Sequence, residues 1–204
     1  MTHNLSHLLV AALLPVSFAS SADHFDVVVY GGTSAGVAAA LQTARMGKTT
    51  ILIEPSQHIG GLTSGGLGMT DTGSTAVIGG ISREFYQKIR AHYSDDDAWK
   101  VEKREDFPFY RPGEDALWRF EPKVAEKVYR DMLTEAKVTL AMGERLDLRD
   151  GVGVEKEHLE IRAIVMESGR KFTGHRFIDA TYEGDLMAKA GVSYHVGRES
   201  NATY

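Results

Sequence analysis

Residues 25–61, FDVVVYGGTSAGVAAALQTARMGKTTILIEPSQHIGG, restrict the fold more than any other stretch of this 204-residue chain. Val27, Val28, Val29 and Tyr30 form a short apolar run suited to a parallel strand buried on both faces. Gly31 and Gly36 are the first and third glycines of a GxGxxG turn, and an alanine-rich helix is expected over 34–46. Gly47 suits the end of that helix, and 50–53 reads as a second strand leading to Glu54. Together these make a βαβ unit whose helix start offers backbone N–H groups and a positive dipole end to a pyrophosphate. Glu54 follows Gly31 by 23 positions, where a carboxylate accepts hydrogen bonds from ribose hydroxyls. The unit predicts a bound dinucleotide, NAD or FAD, held by Gly31, Gly32, Thr33, Ser34, Ala35, Gly36 and Glu54. A glycine turn in a nucleotide-free α/β protein would leave Glu54 unexplained.

Thr33 stands where the fingerprint has its second glycine, adding a Cβ but also a hydroxyl able to contact a phosphate. Beyond Glu54 and Pro55 comes a second glycine-rich loop with Gly60, Gly61, Leu62, Gly65, Gly66 and Gly68. An NAD domain needs only the first unit and its acid, whereas a second loop serves a longer cofactor. With these residues in view, the chain resembles the FAD-dependent oxidoreductases of the glutathione-reductase-like superfamily. It bears a nearer resemblance to a large bacterial group labelled FAD-dependent oxidoreductase, whose N-termini read much like YGGTSAGVAAALQTARMGK and IEPSQHIGGLTSGGLG. A Thr at the second glycine position is usual in that group. The resemblance implies FAD as cofactor, with Glu54 and Pro55 beside its ribose and Gly60, Gly61 and Leu62 along the path towards the flavin.

The resemblance returns in RKFTGHRFIDATYEGDLMAKAGVSYHVGRES, residues 170–200. There 177–181 resembles the strand and turn that bring the chain back to the flavin domain, making Ala180 and Thr181 implied cofactor contacts. The family often has ATG at this turn; here Tyr182 replaces the glycine. A helix is expected from Gly184 and Asp185 to 190. The helix dipole accounts for Asp185 in its first turn, with a direct FAD contact as the alternative. In the resembling family the segment after a strand at 138–141 closes over adenine through backbone groups, which makes Leu146 a further candidate. The matches cover 25–93 and 118–204.

The implied fold is α/β, a Rossmann-like FAD-binding domain with a central parallel sheet and an antiparallel β-meander. Residues 159–165 alternate as a half-exposed strand does, and Gly169 supplies a turn; the meander is expected to cover one sheet face. Helices are expected over 81–93, with Phe85, Ile89 and His92 on one face, and from Pro122 to 136, with Val124, Val128, Met132 and Leu133 buried. Between them a loop-rich insertion spans about 94–120. Its Asp95, Asp96 and Asp97 read as a solvated turn rather than a metal site, so no metal is expected. The aromatics and prolines of 99–120 suggest a packed surface loop, or else a lid.

Hydrophobic residues make up 43% and charged residues 25%, as in an ordinary folded domain. A net charge of −5 without a basic stripe argues against nucleic acid, leaving a small-molecule substrate as the expected partner. The sequence does not indicate an oligomeric state. With no cysteine there is neither a disulfide nor a thiol nucleophile, and no GxSxG, HxH or HExxH spacing occurs. His58, two residues before Gly60, reads as a loop histidine, with a covalent flavin bond as the alternative. No catalytic residue is assigned, because in flavoenzymes the isoalloxazine ring itself carries the redox step.

Residues 1–22 are expected to be an export signal. Residues 8–19 are apolar but too short to span a bilayer, so no stable membrane anchor is expected, and Ser20 and Ala22 fit a signal-peptidase site. Residues 1–7 contain no Lys or Arg. The expected location is periplasmic or secreted, or cytoplasmic if this segment is a simple extension. The FAD-binding domain is then 23–204. The resembling family continues for several hundred residues more, so the chain is expected to be truncated, with its substrate domain absent. The function implied is hydride transfer between an organic substrate and flavin. The alternatives are a non-catalytic nucleotide-binding fragment and a carbohydrate-processing protein related to those labelled polysaccharide (xanthan) lyase.

Overall fold

The structure, a computed structural model, describes residues 23–203; the export-signal reading falls on residues outside that range. The βαβ unit consists of β1 (Asp23–Tyr30), α1 (Ser34–Arg45) and β2 (Thr50–Glu54). Two helices follow, α2 (Gly80–His92) and α3 (Pro122–Glu135), and then β3 (Thr139–Met142). The chain continues through β4 (Val154–Glu157), β5 (Glu160–Val165), β6 (Lys171–Asp179) and the short α4 (Asp185–Lys189). These strands form one six-stranded sheet in the order β3-β2-β1-β6-β5-β4. The β1, β2, β3 and β6 pairings are parallel, while β4–β5 and β5–β6 are antiparallel.

The apolar run at 27–30 marks only the buried half of β1. The strand starts at Asp23 because residues 23–25 continue the pairing with Phe172, Thr173 and Gly174 of β6. Asp26 fastens this end: its carboxylate accepts the Thr49 amide at 2.8 Å, and its own amide donates to the Thr49 hydroxyl at 2.9 Å.

Side chains alternate across a strand, and both faces of this sheet are closed. Val27, Val29 and Leu52 pack with Val37 and Leu41 of α1, Phe85 and Ile89 of α2, and Val124 and Met132 of α3. Val28, Tyr30, Ile51 and Ile53 pack with Leu146, Ile164, Met166, Phe172 and Leu186. The meander therefore continues the sheet at its edge, and its apolar side chains also close the second face. Leu52 is fully buried, so truncation to Ala would cost about 2–5 kcal/mol through lost contacts and a cavity.

The connection from α2 to α3 is irregular apart from short 3-10 turns at Asp96–Ala98 and Arg104–Asp106. Trp99, Phe107 and Tyr110 pack against the first core, and the Trp99 indole N–H donates to the Tyr93 carbonyl at 2.9 Å. The aspartates act locally. Asp95 accepts the Asp97 amide at 3.0 Å, while Asp96 and Asp97 face Arg104 and Lys100 at 3.1 and 3.4 Å. Among the described residues no three acidic or histidine side chains converge as metal ligands, and no helix is long and apolar enough to cross a membrane.

Candidate functional site

β1 lies between β2 and β6, so the connections leaving its two parallel neighbours diverge at its carboxyl end, where open parallel sheets bind ligands. A cavity of about 800 Å³ sits there, walled by the turns after β1, β2, β3 and β6 and by the start of α3.

The first turn is built from backbone. Gly31 has φ +103°, and a Cβ on it would come within 2.7 Å of the Thr181 nitrogen. A Cβ on Gly36 would overlap the Gly31 carbonyl oxygen. Glycine is thus required at both positions, and α1 begins directly against the turn. Thr33 is the N-cap of α1 and is buried. Its hydroxyl accepts the Gly36 amide at 3.3 Å and donates its proton to the Ala180 carbonyl at 2.7 Å. That proton joins the β1 and β6 turns rather than pointing into the cavity. The remaining amides of the first turn have no intrahelical acceptor, as at any helix start.

Glu54, at the end of β2, spans the cavity edge. One carboxylate oxygen accepts the Gly32 amide and the other the Ser56 amide, each at 2.7 Å. The second glycine loop is tied onto the first turn. The Gly60 amide donates to the Gly32 carbonyl at 2.6 Å, and the Ser34 hydroxyl bonds the Gly60 carbonyl at 3.0 Å and Thr63 at 2.7 Å. Tyr129 of α3 donates to Ser34 at 3.2 Å; burial raises its phenol pKa. Burial likewise raises Tyr30, whose hydroxyl accepts the Leu146 amide at 3.0 Å.

The turn after β6 is organised by Asp179. Its carboxylate accepts the Thr181 amide at 3.0 Å, the Thr181 hydroxyl at 2.7 Å and the Met187 amide at 2.8 Å. Thr181 in turn accepts the Gly184 amide at 2.9 Å. Across the cavity, exposed His58 meets Glu126 of α3 at 2.9 Å, and Glu126 also pairs with Arg130 at 2.7 Å. Burial pushes the Glu126 carboxyl up, but these two partners outweigh it and leave it lowered.

Of the residues expected from the sequence, Gly31, Thr33, Glu54, Pro55, Gly61 and Thr181 line the cavity. Gly32, Ser34, Gly36, Gly60 and Ala180 stand behind it as the hydrogen-bonded frame, with Ala35 exposed at the start of α1 and Leu62 exposed on the glycine loop. Leu146 takes a different position. Its side chain is fully buried in the second core, and its amide is used by Tyr30, while neighbouring Arg145 and Leu148 reach the cavity. Arg145, Glu126 and Lys123 were not readable from the sequence, since no local pattern sets them apart. Asp179 carried a usable signal, an acid two positions before a threonine at a strand end. Tyr182 was visible as a departure from ATG, and it lies on the cavity wall.

The family model described as FAD dependent oxidoreductase matches residues 26–204. No curated protein matches the sequence. Among solved structures, L-proline dehydrogenase from P. horikoshii is similar at TM-score 0.55 and 18% identity, over 86% of this chain and 58% of that one. L-amino acid deaminase from Proteus vulgaris, with its specific insertion sequence deleted, matches at TM-score 0.53 and 16% identity, over 88% and 59%. A geranylgeranyl bacteriochlorophyll reductase-like protein from Thermoplasma acidophilum matches at 0.53 and 17%, over 85% and 43%. At these identities the likeness is one of fold. The chain spans less than two thirds of the length of each.

Proposed function

Since the chain belongs to the FAD dependent oxidoreductase family, we propose that the cavity at the carboxyl ends of β1, β2 and β6 holds FAD and serves flavin-mediated hydride transfer with an organic substrate. The observation that carries the reading is the first turn. Gly31 and Gly36 are packed too closely for any side chain, and the bare backbone they leave opens onto a cavity edged by Glu54.

The residues present fit the cofactor. The N-terminal turn of α1 offers unpaired amides and a positive dipole end to the diphosphate. Glu54 keeps lone pairs beyond the two amides it accepts, so ribose hydroxyls can donate to it. The turn at Ala180 and Thr181 closes against Gly31, and the loop from Gly60 to Gly66 leads away towards the flavin end. When bound, FAD supplies the ring that takes up or gives a hydride. The protein's share is to fix the diphosphate on rigid backbone and orient the ribose.

Titrating the purified apoprotein with FAD and following flavin fluorescence tests this. Saturable one-to-one quenching is expected, with FMN, which lacks the adenosine half, bound more weakly. No uptake of FAD, or equal affinity for FMN, would overturn it. Anaerobic bleaching of the visible flavin band by an added organic substrate then tests the hydride-transfer part.

A further inference from the structure

A second cavity, about 480 Å³, opens beside the first, beneath the connection between α2 and α3. Its walls are largely aromatic and aliphatic, with Tyr93, Trp99, Phe107, Phe109, Leu117 and Phe120 among them. The size and lining suit a small organic molecule, and none of these side chains lines the dinucleotide cavity. Among the described residues, only Lys123 lies on the rim of both.

Lys100, Arg119, Lys123, Glu121 and the exposed Glu102 also line this cavity, and these charges are unequally matched. Lys123 is paired with Glu121 at 3.0 Å, and Lys100 with Asp97 at 3.4 Å. Arg119, half-buried, has no carboxylate partner among the described residues. Its guanidinium lies over the Phe109 ring, 3.1 Å from the centroid, and its backbone bridges to Met69 of the glycine loop. Stacking on an aromatic face satisfies the cation's charge in part but none of its N–H groups. A planar fork held beside a largely aromatic wall is suited to a carboxylate, which it binds through two parallel hydrogen bonds.

We propose that this cavity binds an apolar carboxylic acid, aryl or alkyl, with its carboxylate on Arg119 and its hydrocarbon part among Trp99, Phe107 and Phe120. The site is independent of the dinucleotide reading, since it needs no cofactor. Phenylacetate is a suitable probe, with phenylacetamide as its neutral counterpart, and Trp99 provides an intrinsic fluorescence signal in the wall. Phenylacetate should change tryptophan fluorescence saturably in the full chain, at least about tenfold more tightly than the amide. Arg119→Gln should abolish that preference while leaving far-ultraviolet circular dichroism unchanged, and Arg119→Lys should retain part of it. Saturating FAD should not displace the acid. An absent saturable response, equal binding of acid and amide by the unsubstituted chain, or displacement by FAD would each overturn the proposal. The unsubstituted chain alone thus decides it, whether or not a variant folds.

Discussion

The Tyr182 hydroxyl accepts the Leu62 amide at 2.9 Å, joining loops that are 120 residues apart in sequence. The contact crosses the cavity wall, and a Cβ on Gly61 would overlap the same hydroxyl. Gly61 and Tyr182 are therefore sterically matched: a tyrosine in place of the ATG glycine reaches the loop because that loop has no side chain in its path.

Tyr182→Phe removes the acceptor while keeping the ring. Losing a net hydrogen bond of about 1 kcal/mol corresponds to roughly fivefold faster opening of the Leu62 amide. Hydrogen exchange resolved at residues 60–66 measures it. Unchanged protection at Leu62 would mean the bond is not kept in solution.

Thr33→Val keeps the shape of the side chain and removes its hydroxyl. The Gly36 amide then loses its cap, and the Ala180 carbonyl loses its donor. A loss of about 1–3 kcal/mol is expected in urea unfolding, whereas Thr33→Ser should stay close to the unsubstituted value. If the valine and serine variants unfold at the same urea concentration, the hydroxyl does not couple the two turns.

Glu54→Ala deprives the Gly32 and Ser56 amides of their acceptor at once. FAD affinity should fall about tenfold or more, and stability by about 1–3 kcal/mol. Glu54→Gln can still accept one amide but sets its NH₂ against the other, so an intermediate loss is expected. Flavin fluorescence titration reads the first effect and thermal melting the second. Retained FAD affinity in both variants would remove Glu54 from the cofactor site.

Asp147 predicts a pH dependence. Its side chain is 3% exposed, and the hydrogen bonds from Arg149 hold its carboxyl at about 2, below the ordinary 3.8. The unfolded chain therefore takes up this proton first as pH falls. The stabilisation is complete above the unfolded pKa of 3.8 and is lost as pH falls through about 2. Asp147→Asn should flatten that part of a curve of urea midpoint against pH. Asp26, through Thr49, Glu84, through Arg45, and Asp115, through Arg83, are also lowered, so some acid sensitivity remains. A curve identical to that of the unsubstituted chain would show that Asp147 contributes nothing.

The βαβ unit was legible because its determinants are local. The apolar run, the two obligatory glycines and the acid after β2 each act within a few residues of where they stand. The apolar faces of α2 and α3 were readable for the same reason, through Phe85 and Ile89 and through Val124, Val128, Met132 and Leu133. What stayed hidden depends on pairs far apart in sequence. The acceptor for Thr33 lies 147 residues on, and the Glu126 that faces His58 lies 68 on. Leu146 is a further case, 116 residues from its partner. Its buried amide is used by a tyrosine from β1, and nothing near residue 146 announces it. The start of β1 was missed because residues 23–26 are mostly polar, and only their pairing with β6 makes them strand.

β6 pairs antiparallel with β5 through residues 171–173 and parallel with β1 along 172–179. A ribosome releases β1 long before it makes β6, so the turn at Gly31 emerges without the wall that Ala180 and Thr181 later provide. Pairing across such a separation is intrinsically slow, because a long loop must close before any contact rewards it. The glycine turn comes from the early part of the chain, but the pocket around it is among the last features to form. A nascent chain halted before Lys171 would carry the whole fingerprint and still have no site.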